Sequence, residues 1–241
     1  MRPMADLEIF THHDITPGVT VLERRAASGW AWNLGIVALP GGGTAVYSPS
    51  WLDDATLDRV ASVGEPRVLI APNAYHHVTL PRFQERFPRA LVVASAEARP
   101  ALAKKGRKNL VDLDEALPLL PTGSQWYRCE ATKTGEAWLV VPHAAGRTLF
   151  VCDAFFNLTH PTSGFVGWVL RRLKVAPGLR ISTTYQMLAV RHVGAYVTWA
   201  KTALAAIAPT EVVFSHGETI KGPDCGARLL AAIDARWPKQ R

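Results

Sequence analysis

Histidine and aspartate side chains close three apolar runs of this sequence, and their types and placement are suited to holding a metal ion. His76 and His77 follow RVLIAP in the stretch RVLIAPNAYHH, Asp153 ends RTLFVCD, and His216 ends EVVFSH. Imidazole nitrogen and carboxylate oxygen are good ligands for zinc and for iron or manganese. If the apolar runs are strands of an α/β sheet, their carboxyl ends open on one crevice, where ligands gather. The joint placement carries this expectation. A single histidine after a strand is more often a packed loop residue, Asp153 alone could cap a turn, and His216 before Gly217 could be a turn residue.

The elements that must position these residues are legible in outline. VTVLERR (19–25), LGIVALP (34–40) and TAVYS (44–48) are short β-rich runs, the last two joined by Gly41-Gly42-Gly43, so the chain opens antiparallel. Asp53 or Asp54 is placed to cap a helix that Gly64 stops. Strand RVLIAP, helix LPRFQERF, strand ALVVAS and helix AEARPALAKK then follow, the last one confined or kinked by Pro100. Strand, helix and strand in succession imply parallel pairing with both sheet faces covered. EAWLVVP (136–142) and RTLFVCD (147–153) form a hairpin across the four residues HAAG. A helix is read around GFVGWVLRRL, followed by a polar stretch able to cover a site, and one long helix is predicted over 185–207. The strand EVVFSHG and an amphipathic helix, CGARLLAAIDARW, close the chain. The expectation is one α/β domain over 1–241, built of two mixed β-sheets flanked by helices. His12 and His13 are set aside in a mobile N-terminal segment, His143 in a hairpin loop and His192 in the long helix.

Composition bounds the function. A chain of 241 residues with 48% hydrophobic content buries a self-sufficient core. The three cysteines, Cys129, Cys152 and Cys225, form no C-x-x-C pair and read as reduced thiols of a cytoplasmic protein. No run of roughly 18 apolar residues offers a membrane span. The net charge of +7 comes from scattered lysines and arginines, with RRLK at 171–174 and KKGRK at 104–108 read as solvated faces, so no nucleic acid partner is expected. Apolar positions in the 160s are expected to be exposed and leave room for a homodimer.

The order of hairpin, helix, strand with a histidine motif, hairpin ending in aspartate, and late strand ending in His-Gly resembles the metallo-β-lactamase superfamily, over most of the chain. Where that superfamily carries H-x-H-x-D-H, this chain has PNAYHH (72–77): Pro72 and Ala74 replace the first two histidines, His76 replaces the aspartate, and His77 keeps the last position. The isolated middle histidine falls at Thr132, within TKTGEA. SPS (48–50), APNAYHH, FPRALVV and RTLFVCD match a divergent branch. The resemblance implies a metallo-β-lactamase-like αββα sandwich and an emptied first metal position. It assigns the second position to His76, His77, Asp153 and His216, holding one divalent metal, zinc first and iron or manganese next. The function it implies is a metal-dependent, hydrolase-like protein acting on an ester, amide or phosphoester of a small molecule. The alternative is a catalytically inactive metal- or ligand-binding protein that retains the fold. Asp153, Asn73 and Tyr75 are the catalytic candidates, with His160, Tyr185 and Glu218 near them as further hydrogen-bonding or proton-shuttling groups. Four protein ligands fill a tetrahedral shell and look structural rather than catalytic, so turnover would then require wider coordination or a ligand that swings away.

Overall fold

The computed structural model describes residues 7–26, 29–50, 53–160 and 164–238. Its first sheet has seven strands in sequential order: β1 (Leu7–Thr16), β2 (Val19–Ala26), β3 (Ala31–Ala38), β4 (Thr44–Tyr47), β5 (Pro66–Ala71), β6 (Leu91–Ala94) and β7 (Leu110–Asp112). The first four form an antiparallel meander. The pairs from β4 to β7 are parallel, because helices α1 (Asp54–Val63), α2 (Leu80–Arg86) and α3 (Arg99–Lys104) carry the chain back between them. Asp53 caps α1, its carboxylate accepting from the Thr56 amide at 2.8 Å.

The second sheet runs β14-β13-β10-β9-β8, from β8 (Gln125–Arg128), β9 (Ala137–His143), β10 (Gly146–Val151), β13 (Glu211–Phe214) and β14 (Ile220–Lys221). Only β10 and β13 pair in parallel, and the crossover between them holds β11 (Phe156–Leu158), α4 (Gly164–Arg172), β12 (Gly178–Arg180), α5 (Thr183–Leu188) and α6 (Val193–Ile207). Helix α7 (Cys225–Arg236) ends the described chain.

Alternation along the strands explains the layering. In β9, Ala137, Leu139 and Val141 point into the core between the sheets, while Trp138 and Val140 point to the α5, α6 and α7 side. In β5, Val68 and Ile70 face the same central core, while Leu69 and Ala71 face α1 and α2. Strands buried on both faces read as continuous apolar runs, as these do. The molecule is an αββα sandwich of two mixed sheets flanked by helices.

Several expectations are corrected. Residues 7–16 are a strand and no mobile segment: Pro17-Gly18 turns β1 back on β2, pairing His12 with Leu22 and His13 with Val21. The predicted 185–207 helix is two helices. The amide of Lys133 donates to the Ala189 carbonyl at 2.6 Å and that of Arg191 to the Ala131 carbonyl at 2.7 Å, so residues 189–192 pair with a neighbouring loop instead of continuing a helix. His192 is consequently the extended N-cap of α6 rather than a mid-helix residue. Pro100 sits in the first turn of α3 and starts it without a kink, since an amide is dispensable there. The β9–β10 turn is two residues long, because His143 already pairs with Gly146. Phe165 and Trp168 of α4 are 77% and 55% exposed, and no helix among the described residues is long and apolar enough to cross a membrane.

Candidate metal centre

Strand ends deliver the site. His76 lies in the loop after β5, Asp153 two residues beyond β10, and His216 two residues beyond β13. β10 and β13 are parallel neighbours, so the chain leaves both in the same direction. His76 Nε2 lies 3.2 Å from Asp153 Oδ1 and 3.2 Å from His216 Nε2, and His216 Nε2 lies 3.5 Å from the same Oδ1. His77 is not part of this group: its Nδ1 accepts from Arg107 Nε at 3.2 Å. Among the described residues, His76, Asp153 and His216 are the one such convergence of three ligand-type side chains.

Each ligand is held from behind. His216 Nδ1 donates to the Ala31 carbonyl at 3.2 Å, so in the neutral ring it is Nε2 that carries the lone pair, aimed at the centre. The His216 ring stacks on Phe156 at 5.2 Å and packs against Trp30 at 5.1 Å. His76 Nδ1 meets Ser48 Oγ at 2.7 Å. Asn73, fully buried, orders the first loop: its Oδ1 accepts from the Tyr75 and His76 amides at 2.8 and 3.0 Å, and its Nδ2 donates to Asp153 Oδ2 at 2.8 Å. Tyr75 points outward, 46% exposed, with Lys105 Nζ 5.1 Å from its ring centre.

Glu136 supports the Asp153 turn. Its buried carboxylate accepts from the Cys152, Asp153 and Ala154 amides at 3.1 to 3.2 Å and from Trp138 Nε1 at 3.3 Å. Gly217 allows the chain to pass His216: its φ is +99°, and a Cβ there would run into the Asn157 carbonyl. Asn33 Nδ2 secures the same turn by donating to the carbonyls of Phe214 and Gly217.

The electrostatics favour a cation. Burial works to raise the Asp153 carboxyl, yet the His76 charge and hydrogen bonds from both histidines hold it well below the usual carboxylate range. Burial works to lower His76, and Asp153 outweighs it, so the net shift is upward. Burial and the Asp153 charge push Glu136 up to about 7. His77 is lowered by burial and by its neighbours Lys105 and Arg107.

The donor set fits an ion. Two atoms each about 2.0–2.1 Å from a tetrahedral zinc lie about 3.3–3.4 Å apart, and the three edges here are 3.2, 3.2 and 3.5 Å. A cavity of about 160 Å³ adjoins Asp153, walled by Tyr75, Phe156, Ser182, Tyr185 and Leu188.

No protein-family model and no curated protein matches the sequence. Solved structures do. The chain aligns with DIM-1 metallo-β-lactamase at TM-score 0.64 and 10% identity, over 96% of this chain and 100% of that one. It aligns with the mono-zinc form of metallo-β-lactamase FIM-1 from Pseudomonas aeruginosa at TM-score 0.63 and 12% identity, over 97% and 98%. The chain has the metallo-β-lactamase fold. A flavo-diiron protein mutant from Thermotoga maritima matches at TM-score 0.62 and 15% identity, over 94% of this chain and 61% of that longer one. Within this metallo-β-lactamase fold, Thr132, standing where the resemblance expects a histidine, turns its hydroxyl to the Cys129 carbonyl at 2.9 Å, and Ala74 is buried.

Ser48 and Glu136 were given no role in the sequence. Ser48 belongs to the SPS step, which marked the position without showing that its hydroxyl reaches His76. Glu136 carries the one acidic side chain in TKTGEA, directly before an apolar strand, which is a signal that a buried carboxylate is to be used. Of the other sequence candidates, His160 pairs with Glu218 at 2.7 Å, and Tyr185 lines the cavity.

Proposed function

We propose that the chain is a metal-dependent, hydrolase-like protein that holds one divalent ion, zinc first and iron or manganese next, between His76, Asp153 and His216. The observation that carries this reading is the approach of two imidazole Nε2 atoms to 3.2 Å beside a carboxylate oxygen, with His216 Nδ1 committed to the Ala31 carbonyl. Two imidazole Nε2 atoms and a carboxylate oxygen face one point there, and a cation satisfies all three. With His77 turned to Arg107, the protein supplies three ligands, the number at which catalytic zinc sites keep a position for water or substrate.

When bound, such an ion supplies Lewis-acid chemistry, polarising a carbonyl or phosphoryl oxygen and making water a nucleophile near neutral pH. Asn73 fixes the Asp153 carboxylate and the His76 backbone together, so the two ligands from different sheets keep their spacing. Tyr75, Phe156, Tyr185 and Leu188 give the space beside Asp153 an apolar wall, which suits an apolar substituent of a small-molecule substrate. A cavity of about 150 Å³ accepts benzene, so the group it admits is a short acyl chain or a single ring. Asp153 borders both the ion position and this cavity, and is therefore the ligand a substrate meets.

A catalytically inactive binding protein is the second reading, favoured by Thr132, whose hydroxyl is committed to a turn where a further imidazole is expected. Elemental analysis of the purified chain comes first, and metal well below one per chain after reconstitution sinks the proposal. A panel of chromogenic esters, phosphoesters, thioesters and β-lactams then separates the two readings. Turnover that disappears in His216→Ala supports hydrolysis, and stoichiometric metal with no turnover on any class supports the inactive binder.

A further inference from the structure

A second cavity, of about 250 Å³, lies between β12 and α7 and shares no lining residue with the cavity beside Asp153. Leu179, Ile181 and Ala232 give it an apolar floor, and Lys174, Arg180 and Arg236 are its charged lining residues; no carboxylate lines it. None of these three cations has a carboxylate within ion-pair distance among the described residues. Arg236 Nε is buried with no hydrogen-bond partner, and burial holds its guanidinium below the usual range. Arg180 spends its Nε on the Pro177 carbonyl at 2.6 Å, which orients the guanidinium, and its terminal nitrogens have no hydrogen-bond partner among the described residues.

The surrounding sequence is as one-sided as the cavity. Residues 154–210 contain no aspartate or glutamate and six basic residues, Arg171, Arg172, Lys174, Arg180, Arg191 and Lys201. A buried guanidinium nitrogen without an acceptor costs stability unless a ligand supplies one. Three convergent cations with two forked guanidinium groups are suited to the several oxygens of a phosphate. A second copy of this chain would set basic against basic here, so an anion is the occupant that the charge permits.

We propose that the Lys174–Arg180–Arg236 cavity is a binding site for a phosphate group, carried by a soluble phosphate ester or by a lipid headgroup. The apolar floor receives the group to which the phosphate is esterified. The cavity adjoins the metal-centre wall through one strand pair, since Arg180 pairs with Phe156, the ring stacked on His216.

The test is titration of the full-length chain with inorganic phosphate and with glycerol phosphate at low ionic strength, read by calorimetry and by the rise in melting temperature. Sedimentation with phosphatidic acid vesicles, and with phosphatidylcholine vesicles as control, forms the lipid arm. Saturable binding is expected, weakened about ten-fold or more in Arg236→Gln and in Lys174→Gln, as for loss of a charged hydrogen bond. Lys174 is exposed, so its variant keeps the fold if Arg236→Gln does not. Binding of the soluble phosphates with the same variant dependence assigns a soluble ester, and binding confined to phosphatidic acid assigns a headgroup. No saturable binding in either arm overturns the proposal, as does equal affinity in wild type and both variants, including any phosphate uptake confined to the metal centre.

Discussion

Replacing His76 by alanine and, separately, His77 by alanine separates two adjacent residues that sequence alone treats as equals. His76 Nε2 is one of three atoms at the proposed ion position, while His77 Nδ1 is spent on Arg107. Structural zinc sites gain about 10–16 kcal/mol from four ligands, or about 2.5–4 kcal/mol per ligand. His76→Ala is thus expected to weaken metal binding by about two to three orders of magnitude, and His77→Ala by less than about ten-fold. The assay is competition with a chromogenic chelator at fixed pH. The wild type should also show a pH signature. Asp153 raises the His76 pKa, so a proton competes with the ion, and affinity should fall by about ten-fold per proton displaced for each pH unit below that raised value. Equal losses in the two variants would refute the assignment, because they would place His77 among the ligands. Equal retention would refute it too, because it would remove His76 from them.

Ser48→Ala, which frees His76 Nδ1, is expected to reduce metal affinity by about 10–100-fold with little loss of stability, measured by the same competition. Glu136→Gln turns an amide donor toward one of the backbone N–H groups that the carboxylate accepts, and should cost about 1–3 kcal/mol in urea unfolding. Because the folded Glu136 is raised to about 7, its contribution to metal-free stability is fully present below its unfolded value and is lost as pH rises through about 7; the variant should flatten that slope. Gly217→Ala forces a Cβ into the Asn157 carbonyl at a left-handed φ. It should lower both melting temperature and metal affinity, and an unchanged melting temperature would show that the turn has room.

The sequence by itself determined the strand ends and the residues on them. RVLIAP, TLFV and EVVF are apolar on both faces, and such runs are buried on both faces in any sandwich, so Asp153 and His216 had to emerge at strand termini. The β3–β4 hairpin and the first crossover helix followed from Gly41–Gly43, Asp53 and Gly64, whose local chemistry acts within a few residues. Tertiary structure alone decided which histidine of the His76-His77 pair turns inward, because that depends on Asn73 ordering the loop and on Arg107, thirty residues on, claiming the other ring. It also split the 185–207 helix, whose periodicity runs unbroken through 189–192, by offering the 131–133 loop as a better partner for those backbone groups. The roles of Ser48 and Glu136 were hidden for the same reason. Each acts on a residue 28 or 16–18 positions away, and spacing in sequence carries no record of which buried polar group will satisfy which until the sheets have closed.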